Sequence, residues 1–137
     1  MISRLALDSG PLIALFYKPD FYHTDAVKGI EQLKQVNAQL IAPLPILFEV
    51  HKFLLYQGQR TLADASLKVM LRMSRIDEFS VDDLGELTAL ANTPRSWNGS
   101  LEDASVVLTA RKFRCPAWTF NYRDFAAFRD LELWNPS

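Results

Sequence analysis

Short apolar runs alternate along this chain with longer stretches in which apolar residues return every three or four positions. Leu5-Ala6-Leu7, closed by Asp8-Ser9-Gly10-Pro11, reads as a buried strand ending in a turn, and Leu12, Ile13, Leu15 and Phe16 follow at helical spacing. From Thr24, an expected N-cap with Asp25 in the first turn, the residues Val27, Ile30, Leu33 and Val36 mark an amphipathic helix that stops near Asn37. Leu40-Ile41-Ala42 reads as a second buried strand. Pro43 and Pro45 then open a helix running from about Ile46 to Gln57, ended by Gly58. A helix from Ala63 to Ser74, a strand from Ile76 to Val81 and a helix from Asp82-Asp83 to Ala91 come next. A polar loop then leads to a helix from Ser100 to Phe113 and a strand from Ala117 to Phe120.

Continuously apolar strands alternating with helices predict an α/β domain with a central, mostly parallel β-sheet flanked by α-helices on both faces. At 137 residues the chain fits one domain, residues 1–137, large enough to bury a genuine core. Hydrophobic residues make up 49% and charged residues 23%, which excludes a disordered chain. The formal net charge of -1 gives no strong overall attraction to nucleic acid or membrane, so any polyanion must be held locally. Arg60, Lys68, Arg72, Arg75, Arg111, Lys112, Arg114 and Arg123 are candidates for such a patch, with scattered surface charge as the alternative. The single cysteine, Cys115, forms no internal disulfide, reads as a small buried hydrophobe, and points to a reducing, cytoplasmic location. The apolar N-terminus is too interrupted, by Arg4, Asp8 and Gly10-Pro11, for a signal peptide or a membrane span.

The acids carry the chemistry. Ligands of open parallel sheets bind outside the carboxyl ends of the strands, where Asp8 and Asn121 are expected. Asp103 falls in the first turn of the helix before the last strand, but the sheet edge it faces depends on topology. Glu49 sits at the margin of its helix's apolar face, where an ionised acid needs a partner and only Lys52 is near in sequence. Each has a plainer explanation: Ser100 with Asp103 forms a capping-box pattern, Asp8 suits an Asx-turn, and Glu49 suits an exposed rim. Taken together they suggest a divalent-metal site, because hard cations prefer oxygen ligands and clustered carboxylates repel one another until a cation joins them. Two histidines, His23 and His51, are too few for a zinc site with several imidazoles.

The segments LALDSGPLIALF, HTDAV, LPILFEV, SLEDASVVLTARKF and PAWTFNYRDF, in that order, resemble the PIN-domain nucleases and more narrowly the VapC-like toxins of toxin-antitoxin pairs. The resemblance implies a PIN-like fold and a Mg²⁺- or Mn²⁺-dependent endoribonuclease that hydrolyses RNA phosphodiester bonds. By motif, Asp8, Glu49 and Asp103 match the first three metal-binding acids, and Asn121 matches the fourth, usually acidic, position. Asn121 brings no charge, and Asp124 lies three residues further on. Gly10 stands where the family often has Ser or Asn, leaving Ser9 as the nearest hydroxyl. The resemblance also implies a small antitoxin partner and a homodimer, and the apolar helix Ile46 to Tyr56 offers a surface for such contacts. Tyr122 and Trp97 are candidates for stacking on an RNA base, with ordinary packing as the alternative. Two rival readings are a catalytically impaired PIN-like RNA- or protein-binding module, motivated by Asn121 and Gly10, and a phosphoacceptor receiver domain. The receiver needs an adjacent pair of acids at the first strand, where this chain has only Asp8.

Overall fold

Leu5, Ala6 and Leu7 are all fully enclosed, although successive residues of a strand point to opposite faces. Both faces of the strand are therefore covered. The computed structural model describes residues 2–95 and 97–137. Its four strands, β1 (Arg4–Leu7), β2 (Gln39–Pro43), β3 (Arg75–Asp77) and β4 (Ala117–Trp118), form one sheet in the order β3-β2-β1-β4, with every pairing parallel. Among the described residues seven helices flank it: α1 (Ser9–Phe16), α2 (His23–Gln35), α3 (Leu44–Tyr56), α4 (Arg60–Met73), α5 (Asp83–Asn92), α6 (Leu101–Phe113) and α7 (Tyr122–Phe125). The predicted α/β architecture is thus present. A receiver-like sheet follows the flavodoxin order 2-1-3-4-5, so this strand order removes that reading.

Several elements differ from the pattern-based expectation at their ends. β3 stops at Asp77 rather than reaching Val81. The Asp77 carboxylate turns to accept hydrogen bonds from Thr109 Oγ1 (2.6 Å) and Lys112 Nζ (3.0 Å), both on α6, as the chain leaves the sheet. β4 stops at Trp118 because its partner β1 ends one residue before Asp8, which is the N-cap of α1. Helix α2 begins at His23, with Tyr22 rather than Thr24 in the cap position. The four-residue α7 is too short to show a period, and it buries Phe125 completely.

Close packing explains two glycines. A Cβ on Gly29 would lie 2.5 Å from the Trp118 ring, so α2 reaches β4 only because this helical position lacks a side chain, despite the usual cost of about 1 kcal/mol. Gly58 adopts φ +73° directly after α3 and its cap residue Gln57, as its place in the sequence predicts. Helix α6 buries every residue from Ala104 to Ala110, making it a central packing element rather than a one-sided surface helix. It leads through Arg114, in the left-handed conformation at φ 51°, into β4. Because β4 is parallel to the other strands, α6 runs against the strand direction and its first turn lies toward the carboxyl edge of the sheet.

Candidate active site

Four segments distant in sequence meet at that edge. Asp8 leaves β1, Glu49 projects from α3, Asp103 sits in the first turn of α6, and Asn121 follows β4. All four line one open cleft of about 430 Å³, together with Ser9, Gly10, Asp20, Tyr22 and Phe120.

Asp8 is the deepest of the acids, only 4% exposed. Its Oδ2 accepts a hydrogen bond from Thr119 Oγ1 at 2.7 Å, and Thr119 Oγ1 in turn accepts from the Asn121 backbone N–H at 2.9 Å. Oδ1 of Asp8 is buried without a hydrogen-bond partner, the one carboxylate oxygen in that state among the described residues. Burial is the main reason its pKa rises from 3.8 to about 7; the Thr119 bond opposes the rise, and the charges of Asp103 and Glu49 add to it. Glu49 is half-buried and accepts from Ser9 Oγ. Burial also raises the Glu49 pKa, against the Ser9 bond, with Asp103 and Glu102 contributing repulsion.

Asp103 holds the capping role and the cleft position at once. Its backbone N–H donates to Ser100 Oγ at 3.1 Å, while its Oδ2 accepts from the Ser100 backbone N–H at 3.0 Å. The cap fixes the start of α6 and leaves the carboxyl group at the cleft wall. Burial lifts its pKa as well, opposed by the two Ser100 hydrogen bonds. Glu102, beside it in the same turn, is also half-buried and borders a neighbouring hollow with Phe48 and Lys52. Asn121 Nδ2 donates to Asp124 Oδ2 at 2.8 Å, so the fourth position is an amide paired with a carboxylate.

The cleft is lined by four carboxylates, Asp8, Asp20, Glu49 and Asp103, and the Asn121 amide, with no thiol or imidazole among its lining residues. His23 Nδ1 pairs with the Ala14 carbonyl, and His51 Nε2 pairs with Asp64. Such a set suits a hard divalent cation, and the unpaired Asp8 Oδ1 with its raised pKa is the state a cation would relieve. Among the described residues, no three His, Cys, Asp or Glu side chains are drawn together into a preformed metal cage. The acids border an open cleft, an arrangement compatible with an ion that keeps much of its water.

Thr119, Asp20 and Tyr22 join this region without having been singled out from sequence. Thr119 had a readable signal: Leu7 pairs with Trp118, so the next residue on each strand places Thr119 beside Asp8. That signal depends on knowing that β1 and β4 are neighbours. Ser9 faces Glu49, and a Cβ on Gly10 would make only ordinary contact with Phe120 at 3.6 Å, so this glycine is not sterically required. Of the basic residues considered for a patch, Arg111 pairs with Asp130, Lys112 pairs with Asp77, and Arg75 lies over the Phe113 ring. Trp97 packs edge-on against Phe128 and donates its indole N–H to the Asp124 carbonyl at 3.0 Å, which assigns it a packing role. Cys115 is half-buried rather than fully enclosed, and burial pushes its thiol pKa up.

No protein-family model matches the sequence, and no curated protein matches it. Solved structures do match its fold. The Mycobacterium tuberculosis toxin VapC20, described as cleaving the sarcin-ricin loop, superposes with TM-score 0.77 at 18% identity, covering 90% of this chain and 95% of its own. VapBC2 from Rickettsia felis, bound to a fragment of its promoter DNA, gives TM-score 0.74 at 18% identity over 96% of this chain and 98% of the other. This chain has the PIN-like fold of the VapC toxins. VapBC-1 of nontypeable Haemophilus influenzae gives TM-score 0.72 at 15% identity, covering 96% and 97% of the two chains. The VapC-like fold therefore extends over nearly the whole length of this chain.

Proposed function

We propose that this VapC-like chain is a Mg²⁺- or Mn²⁺-dependent endoribonuclease acting as the toxin of a toxin-antitoxin pair. The observation that carries the reading is the shared cleft of Asp8, Glu49, Asp103 and Asn121 at the carboxyl edge of the sheet. Asp8 and Asp103 are the principal residues that would hold the ion. When bound, such an ion supplies positive charge against the phosphodiester and acidifies water. Thr119 fixes the orientation of the Asp8 carboxylate through its 2.7 Å hydrogen bond. Glu49, its pKa raised by burial and its carboxylate steadied by Ser9, accepts the proton of the attacking water. A new bond forms from that water oxygen to phosphorus as a phosphorus–oxygen bond of the RNA backbone breaks, its electron pair leaving with the ribose oxygen, which takes a proton from solvent water. Asn121, tied through its backbone to Thr119 and through its amide to Asp124, orients water at the cleft wall.

The toxin reading includes a small antitoxin and a homodimer. In support, α3 buries Ile46, Leu47, Val50 and Leu54 but leaves Phe48 and Tyr56 largely exposed, two aromatic positions available to a protein partner. The deciding experiment incubates purified protein and single-stranded RNA with Mg²⁺ or Mn²⁺, alongside Asp8→Asn and Asp103→Asn. Cleavage by the wild type should fall at least ~100-fold in either variant while circular dichroism is retained. Undiminished cleavage in a folded variant refutes the assignment, whereas RNA binding without cleavage by the wild type favours the binding module.

A further inference from the structure

A second hollow, of about 180 Å³, adjoins the acidic cleft, and Tyr22 and Phe120 line both. The two rings stack at 4.3 Å with planes 14° apart, making an aromatic partition between the spaces. Tyr122 lines the second hollow and is 41% exposed, while Tyr22 is 37% exposed. Lys28, Asp25 and Asn135 complete its polar lining. The Tyr122 hydroxyl donates to Asn135 Oδ1, which ties this ring to the C-terminal segment.

The geometry points to a nucleobase subsite in this hollow, taking one unpaired base of single-stranded RNA whose adjacent phosphodiester lies in the acidic cleft. The inference rests on the ribonuclease reading above and names how its substrate is held. Three aromatic rings supply π-faces or edges, to which any base can adapt. Asp25 and Asn135 offer acceptors and an amide donor to a base edge, and Lys28 offers a cation to a flanking phosphate. The cleft itself presents acids, so binding of a polyanion there needs an attraction that does not depend on cleft charge. Base stacking next door provides one. A base within a duplex has its faces covered by its neighbours, which makes an unpaired strand the fitting ligand.

The test measures binding of a labelled single-stranded oligoribonucleotide by fluorescence anisotropy, with Ca²⁺ replacing Mg²⁺ so that the strand is preserved. A set of otherwise identical oligomers carries one abasic site at successive positions. Tyr122→Leu should weaken binding of the intact strand by about tenfold to a hundredfold, as loss of one base–aromatic stack does. Tyr122→Phe, which keeps the ring and loses only the hydroxyl bond to Asn135, should recover most of the affinity that Tyr122→Leu loses. At one position the abasic strand should bind the wild type as weakly as Tyr122→Leu binds the intact strand, and combining the two changes should add little. Tyr22→Leu reads the same hollow from the start of α2 and serves if Tyr122→Leu does not fold. Wild-type affinity in the folded leucine variants, fully additive losses at every position, or no strand binding by the wild type overturns the subsite. Cleavage with Mg²⁺ is scored separately: a protein that cleaves RNA but is indifferent to the leucine changes loses the subsite and keeps the nuclease reading. One that shows the stacking pattern without cleavage keeps the subsite and loses hydrolysis.

Discussion

Replacing Asp8 by Asn should make the metal-free protein more stable while removing its proposed activity. In the folded chain this carboxyl group is almost wholly buried, with Oδ1 unpartnered, and its pKa stands at about 7 instead of 3.8. The folded state therefore holds the proton more tightly than the unfolded chain, and folding takes up a proton in the intervening pH range. The favourable contribution is complete below about pH 4 and is lost as pH rises through about 7. A shift of this size corresponds to roughly 4 kcal/mol of destabilisation once Asp8 is ionised in both states. Asparagine avoids that charge and can still accept the Thr119 hydrogen bond, but its amide NH₂ also needs a partner, so a realised gain of about 2 kcal/mol is expected. For a chain of this length that is roughly 7 °C in melting temperature. Scanning calorimetry in EDTA should show the variant melting higher near pH 8, the difference vanishing near about pH 5.5 and the wild type melting higher at about pH 4. Added Mn²⁺ should raise the wild-type melting temperature more than the variant's, because a ligand of the folded state stabilises it in proportion to occupancy. A variant less stable than the wild type near pH 8 in EDTA, or a difference independent of pH, refutes the reasoning.

Thr119→Val keeps the side-chain shape at this buried position just after β4 but removes the hydroxyl between Asp8 and the Asn121 backbone. Calorimetric titration with Mn²⁺ should show about 10- to 100-fold weaker binding, since groups that orient metal ligands carry effects of that size; unchanged affinity shows that Thr119 does not act through Asp8. Asn121→Asp places a second carboxylate beside Asp124, whose Oδ2 lies 2.8 Å from the present amide nitrogen. The metal-free variant should melt about 2 °C lower through roughly 0.5 kcal/mol of solvent-screened like-charge repulsion, and Mn²⁺ titration should show tighter binding. Lower affinity counts against placing Asn121 at the fourth position of the cleft.

Local pattern carried a large part of the architecture. The runs Leu5-Ala6-Leu7 and Leu40-Ile41-Ala42 are strands because consecutive apolar residues suit a sheet buried on both faces, and both runs are enclosed in β1 and β2. Ser100 with Asp103 gave the start of α6 for an equally local reason, a reciprocal hydrogen-bond pair within one turn. The ends of β3 and β4 were less legible because they depend on neighbours: Asp77 is drawn toward Lys112, and β4 runs out of partner where β1 becomes α1.

The sequence by itself determined which residues share a face of an element and that acids stand near strand ends and at a helix start, whereas the turn expected from Asp8 to Pro11 is instead the start of α1 at Ser9. Only the tertiary structure decided that Asp8 meets Thr119, 111 positions away, and that Ser9 meets Glu49, 40 positions away. Side-chain periodicity is a property of one helix or strand, whereas convergence at a cleft depends on strand order and on the direction in which α6 crosses the sheet. Those are set by pairing and packing between segments far apart in the chain, for which no short stretch of sequence holds the information.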